Sequence, residues 1–236
     1  MNRKVSVIIP AYHEESCIEQ TIVSYASQQY RPLEIIVVVN HSTDRTYEIA
    51  KHHADTVLNF SERIGVSAAR NEGAKVATGE LFIFSDADSY LETGGVGSMV
   101  RKVSNNTVGT FLGKSNRSDV RGALFFLFKN TIHRLGIYRG VIDGVIFCDR
   151  DTFFKTRGFD TSREPDELAA FIKKARKVNA HYTIVTDRYA ITSLRRYEKR
   201  YIKNLLFWAR WKLFSLFGWH ERMKKEGENY YTSTKK

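Results

Sequence analysis

Apolar residues over the first hundred or so positions follow two alternating patterns, short β-branched runs and longer stretches with helical spacing. Val5 to Ile9 is a near-continuous β-branched run stopped by Pro10, which predicts a strand buried on both faces of a parallel sheet. Ile18, Ile22, Val23 and Ala26 share one face of a helix predicted from about Cys17 to Gln28, and Pro32 closes that region. Leu33 to Val39 predicts a second buried strand. The turn cluster Asn40-His41-Ser42-Thr43-Asp44 follows it and can cap a helix from about Asp44 to His53. A third strand is expected around Thr56 to Asn59. Gly65 to Ala77 then reads as a helix with Ala68, Ala69 and Ala74 as small packing residues, and Gly79 ends it before a strand from Leu81 to Phe84. Strand and helix in this rhythm predict a doubly wound, mostly parallel α/β sheet flanked by helices.

Composition bounds the reading. The 236 residues, 42% hydrophobic and 13% aromatic, can hold one large α/β domain or two small ones with a packed core. Cys17 and Cys148 have no C-x-x-C spacing and no neighbouring His cluster, which argues against a disulfide framework or structural zinc and favours a cytoplasmic setting. The apolar run after Met1-Asn2-Arg3-Lys4 is too short for a signal peptide, and no run of about 18 apolar residues predicts a membrane-spanning helix. A net charge of +11 calls for an anionic partner: a nucleotide, a nucleic acid or an acidic membrane surface.

The candidate chemistry sits at the end of the fourth strand. Phe82-Ile83-Phe84-Ser85 leads into Asp86-Ala87-Asp88, and two unpaired carboxylates cannot be buried inside a strand. They are expected just past its C-terminal end, where ligands bind in open α/β sheets. Two neighbouring hard oxygen donors suit Mg²⁺ or Mn²⁺ shared with substrate phosphates.

Four ordered segments carry a family resemblance. Val5 to Glu15, Val37 to Thr46, Ala69-Arg70-Asn71-Glu72-Gly73, and Gly79-Glu80 with Asp86-Ala87-Asp88 together resemble family 2 inverting glycosyltransferases of the GT-A, Rossmann-like nucleotide-diphospho-sugar transferase fold. The resemblance is strong over residues 5–100. It is looser over 140–197, where Gly144-Val145-Ile146-Phe147 and Arg157-Gly158-Phe159-Asp160 look like an acceptor-side segment.

The resemblance implies roles position by position. Pro10, Ala11, Tyr12 and Glu14 would hold the nucleotide base, with Tyr12 equally readable as a packing residue. Asn40 stands where the family usually has an aspartate that hydrogen-bonds the base; an amide both donates and accepts, so the preferred base is open. Arg70 would contact the phosphate or ribose side, while Asn71 and Gly73 would organise the helix. Asp86 would face the ribose, Ala87 would line the donor site, and Asp88, with Asp86, would hold the metal on the diphosphate. Ser42, Thr43 and Asp44 read as turn and cap residues.

Inverting transfer to a hydroxyl also needs a general base, which the family places in a Glu-Asp pair after a Gly-Phe-Asp motif. Here the pair is reversed, in Asp166-Glu167, so either Asp166 or Glu167 is the candidate, with Asp166 preferred. The competing reading makes both the first turn of a helix from Leu168 to Val178. A phosphate acceptor would need no base.

Two further stretches mix cations with bulky apolar residues. Residues 195–219 contain three Trp among Phe, Leu, Lys and Arg, the composition of an interfacial helix on an anionic membrane. Residues 123–138 are a second candidate, and either could instead pack as a lid or core helix. The expected organisation is a catalytic domain over 1–194, with a donor half to about 100 and an acceptor half beyond it, then amphipathic C-terminal helices over 195–236. These features predict a metal-dependent transferase using a UDP- or GDP-sugar, acting on a lipid-phosphate or glycan acceptor from the cytoplasmic membrane face. Transfer to a soluble or protein-linked acceptor, and a non-catalytic sugar-binding or nucleic-acid-binding module, are the alternatives. Nucleic acid is disfavoured because no RRM, KH or helix-turn-helix signature is present.

Overall fold

The computed structural model describes residues 2–116, 120–137, 139–141, 144–162 and 167–193. In chain order the elements are β1 (Val5–Ala11), α1 (Ile18–Ala26), β2 (Leu33–Asn40), α2 (Thr46–His53), β3 (Thr56–Phe60), α3 (Val66–Val76), β4 (Leu81–Ser85) and β5 (Ser89–Leu91). They continue with α4 (Gly95–Lys102), β6 (Thr107–Ser115), α5 (Val120–Arg134), β7 (Val145–Asp149), α6 (Arg150–Lys155), α7 (Glu167–Lys177) and β8 (His181–Thr192).

The strands described form one sheet in the order β3-β2-β1-β4-β7-β6-β8-β5. Pairing is parallel from β3 through β4, with Val7 opposite Ile35 and Ile8 opposite both Ile36 and Phe84. Beyond β4 the sheet is mixed: β7 runs antiparallel to β4 and β6, β8 is parallel to β6, and β5 is antiparallel to β8.

Side-chain alternation along the central strands builds two cores. Val5, Val7, Ile9 and Ala11 pack with Ile35, Val37, Val39, Leu81 and Ile83 beneath α1, α2 and α4. Their neighbours Ile8, Ile36, Val38, Phe82 and Phe84 pack on the other face with Ala69, Phe153, Phe159, Phe171 and Ile172 from α3, α6, the following loop and α7. Both faces are covered, which is why these strands read as continuous apolar runs.

The elements expected over the first eighty-five residues are present with shifted ends. α2 begins at Thr46 because the Asp44 carboxylate accepts from the Thr46 backbone N–H (3.1 Å) and hydroxyl (2.5 Å), which places Asp44 outside the helix. The sheet's second half was not expected strand by strand. β6 carries Gly109 and Gly113, and β8 is interrupted by the exposed run Thr186, Asp187 and Arg188, so neither shows a clean two-residue period. The stretch proposed over 123–138 is helical as far as Arg134, within α5, which packs on β6 through Phe126 against Leu112 and through the Asn130 carboxamide paired with the Gly113 backbone (2.9 Å both ways). Among the described residues no helix is long and apolar enough to cross a membrane. The expected helix over 195–219 lies outside the described residues.

Candidate active site

Parallel pairing of β4, β1 and β2 brings the residues past their C-terminal ends to one edge of the sheet. Pro10 and Ala11 are buried at the end of β1, and Tyr12 and Glu14 lie in the loop that follows. That loop is fastened to the one after β2: the His13 N–H donates to Ser42 Oγ (3.0 Å) and the Glu14 N–H to Thr46 Oγ1 (2.9 Å). The Asp44 carboxylate adds a third tie by accepting from the Glu15 N–H (3.3 Å), besides its bonds to Thr46 within its own turn. Arg63 lies over the Tyr12 ring, its guanidinium carbon 4.7 Å from the centroid. Asn40 is buried, and its carboxamide oxygen accepts from the Ile64 N–H (2.8 Å), which fixes the approach to α3.

Asp86, Ala87 and Asp88 form the turn between β4 and β5. The turn is held from three sides. Ala87 O accepts from Thr21 Oγ1 of α1 (2.7 Å), the Asp86 N–H donates to Gly144 O (2.8 Å), and Asp88 O accepts from the Ser193 N–H (3.1 Å). Ser89 Oγ and Thr192 Oγ1, 2.5 Å apart, close the junction of β5 with β8. Asp88 is 9% exposed, whereas the Asp86 side chain is one-third exposed.

Arg70 is the centre of the site. It projects from α3, is 1% exposed, and spreads its guanidinium between Asp86 Oδ1 (2.5 Å) and Glu167 Oε1 (2.8 Å), with the Phe159 ring 5.5 Å away. Burial alone would disfavour its charge, but the two carboxylates more than compensate and hold its pKa up. Burial pushes the Glu167 carboxyl up; Arg70 pulls it down and Asp86 adds to the rise. Glu167 Oε2 is buried with no hydrogen-bond partner among the described residues. The guanidinium expected on the donor phosphates or ribose is therefore shared between two protein carboxylates and closed off from solvent. Asp166, the other carboxylate expected as a base, lies outside the described residues.

The neighbouring Asn71 does more than organise its helix. Its carboxamide accepts from the Phe159 N–H (2.8 Å) and donates to Phe159 O (3.0 Å), so adjacent residues of α3 grip the Asp86 turn and the Gly158-Phe159-Asp160 loop. Gly73 faces the sheet so closely that a β-carbon would lie 2.5 Å from Ile8 Cγ2, so its missing side chain sets how near α3 can approach. Gly144 has a comparable role at the site, which sequence reasoning did not assign: a β-carbon there would overlap the Asp86 carboxylate. A glycine directly before a buried strand is the signal that marks it.

No group of three or more His, Cys, Asp and Glu among the described residues converges on one point as a metal cage. The Asp86–Asp88 turn instead fits a hard cation whose shell is completed by substrate phosphates, since Mg²⁺ is commonly held through one or two carboxylates.

A family model described as Glycosyl transferase family 2 matches residues 6–158. Among curated proteins, an uncharacterized glycosyltransferase of Escherichia coli K12, YibD, is 40% identical over 92 residues, 37% of this chain and 27% of that protein. A Methanococcus voltae protein, dolichyl N-acetyl-α-D-glucosaminyl phosphate 3-β-D-2,3-diacetamido-2,3-dideoxy-β-D-glucuronosyltransferase, is 25% identical over 232 residues, 84% of this chain and 70% of that protein. The match covers 15% of one such relative, a glycosyltransferase of Streptococcus pneumoniae, so several relatives extend well beyond the shared region. Among solved structures, the mannosyltransferase PcManGT of Pyrobaculum calidifontis, in complex with GDP-Man and Mn²⁺, superposes with a TM-score of 0.66. It is 19% identical, with 81% of this chain and 57% of that one covered, a likeness of fold.

Proposed function

The chain belongs to glycosyltransferase family 2, and on that premise we propose that it is a metal-dependent, inverting enzyme that moves a sugar from a UDP- or GDP-sugar to a membrane lipid phosphate or lipid-linked glycan. The observation that carries this reading is the Asp86-Ala87-Asp88 turn, held by Thr21, Gly144 and Ser193 at the end of β4 beside the loops after β1 and β2. The donor half of the chain supplies Pro10, Ala11, Tyr12, Glu14 and Asn40 around the base, and residues beyond about 100 form the acceptor side.

Asp88, with Asp86, would hold Mg²⁺ or Mn²⁺. A cation there supplies charge to stabilise the departing nucleoside diphosphate. Arg70 holds the Asp86 carboxylate in one orientation, and Gly144 leaves room for it. Burial of Arg70 keeps that orientation free of competing water. Asp166 or Glu167 would accept the acceptor's proton, and the bond that ties Glu167 to Arg70 favours Asp166 for that role. A lipid phosphate is already ionised and makes that role dispensable.

The lipid acceptor is supported by the Methanococcus voltae relative, whose name specifies a dolichyl phosphate-linked sugar, and by the cation-rich apolar composition of residues 195–219. The same composition supports a peripheral position on the cytoplasmic membrane face. A thermal-shift screen of UDP-, GDP- and dTDP-sugars with Mn²⁺ and Mg²⁺ tests the donor reading, because a ligand selective for the native state raises the melting temperature. The expected result is a rise with one nucleotide class that depends on the metal. No rise with any nucleotide sugar contradicts it.

A further inference from the structure

α5 shows two unlike sides. Gly122, Phe126 and His133 face the sheet and are buried, with Asn130 bonded to β6 between them. On the opposite side Val120, Leu124, Leu127 and Phe128 recur at three- and four-residue spacing and are each more than 60% exposed, as are Leu135 and Ile137 just past the end of the helix. A helix in water normally turns such a stripe toward a core. Here the core side is already occupied by other residues of the same helix.

The charge around the stripe says what it meets. Residues 120–141 contain Arg121, Lys129, Arg134 and Arg139 and no Asp or Glu. Arg134 and Arg139 are exposed, and Lys129 Nζ lies 4.6 Å from the Phe125 ring centroid. A second copy of the same face would oppose cation to cation. The chain's own residues 194–236 carry twelve Lys and Arg against four Glu, so they are repelled as well. An apolar stripe rimmed by cations is complementary to an anionic bilayer surface.

We propose that the outward face of α5 is a membrane-docking surface that takes anionic lipid, seating Leu124, Leu127, Phe128 and Leu135 among the acyl chains and the nearby cations among the headgroups. The proposal rests on the reading of a lipid-borne acceptor and gives it a surface distinct from residues 195–219. It also places the membrane close to the chemistry in sequence, since the chain leaves α5 and reaches Gly144 against the Asp86 carboxylate within ten residues.

The test uses the full chain and vesicles of phosphatidylcholine alone or mixed with phosphatidylglycerol. Wild type sediments with the mixed vesicles, and high salt weakens the attachment without abolishing it, because the apolar part is unscreened. The triple variant Leu124→Ser, Leu127→Ser, Phe128→Ser partitions about tenfold or more weakly. It keeps its melting temperature and its nucleotide affinity, since these side chains face away from the sheet. A triple variant that sediments like wild type overturns the proposal. So does a wild type that ignores vesicles because it is a dimer in sedimentation equilibrium or because its tail covers the stripe. Vesicle binding through α5 without any transfer to a lipid phosphate contradicts the acceptor reading and leaves the docking surface standing. Transfer to a detergent-dissolved lipid phosphate without vesicle binding overturns the surface alone.

Discussion

Arg70 and Glu167, 97 residues apart in the chain, meet at 2.8 Å inside the protein, and the same guanidinium reaches Asp86 at 2.5 Å. This one cation ties the first turn of α7 to the turn after β4. Arg70→Ala leaves the Glu167 carboxylate buried beside Asp86 with no counter-charge, and it is expected to cost about 3–5 kcal/mol of stability. The double change Arg70→Met with Glu167→Gln removes both buried charges and retains more stability than Arg70→Ala. Urea unfolding of the two variants measures this; a single variant as stable as wild type contradicts a structural role for the pair.

Asp88→Ala is expected to preserve the fold and to abolish the metal-dependent part of nucleoside diphosphate binding, because a turn carboxylate adds little to the two cores. Isothermal titration with and without Mn²⁺ measures the component directly. Undiminished metal-dependent binding would place the cation elsewhere.

The proposed roles of Asp166 and Glu167 are separable by mutation. Asp166→Asn is expected to lower kcat on a hydroxyl acceptor by about 10² or more with nucleotide affinity unchanged, the size associated with loss of a general base. Glu167→Gln is expected to act mainly on stability, through its bond to Arg70. Full rates in both variants on a hydroxyl acceptor reject Asp166 as the base, whereas full rates on a phosphate acceptor are the expected outcome there.

The parallel half of the sheet was legible in the sequence because strands buried on both faces must be continuously apolar, as Ile35 to Val39 and Leu81 to Phe84 are. The mixed half was not. β5 has three residues, and β8 carries polar side chains where it is exposed, so neither presents a periodic signal. The placement of Asp86 and Asp88 just past the end of β4 was also legible, since two aspartates one residue apart after an apolar run have few places to go. What Arg70 and Asn71 do there was not, because their partners Glu167 and Phe159 lie nearly ninety or more residues away and only tertiary packing pairs them. Gly73 and Gly144 were similarly opaque: close approach depends on what stands opposite, Ile8 in one case and Asp86 in the other.

Glu34 makes part of the stability sensitive to acid. Its carboxylate accepts from Ser6 Oγ (2.5 Å) and the Thr78 N–H (2.7 Å), and Lys4 Nζ lies 2.7 Å away. Burial raises its pKa, but these partners outweigh burial and hold it at about 2 against an ordinary 4.5. The native value lies below the unfolded one, so the unfolded chain takes up the proton first as pH falls. This contribution is complete above about pH 4.5 and is lost as pH falls toward about 2. Glu34→Gln should be less stable than wild type near neutrality, with the gap in urea midpoint closing through that window. A gap that stays constant down to about pH 2 contradicts the assignment.

On the proposed function, the Asp86–Asp88 turn supports metal-dependent sugar transfer. Nucleoside diphosphate release from a panel of UDP- and GDP-sugars, measured with Mn²⁺ and with chelator, tests it most directly. Wild type should release one nucleotide class only with metal, and Asp88→Ala should release none above background. Release that persists in chelator or in Asp88→Ala, or no release from any donor in the presence of lipid phosphate and glycan acceptors, contradicts it.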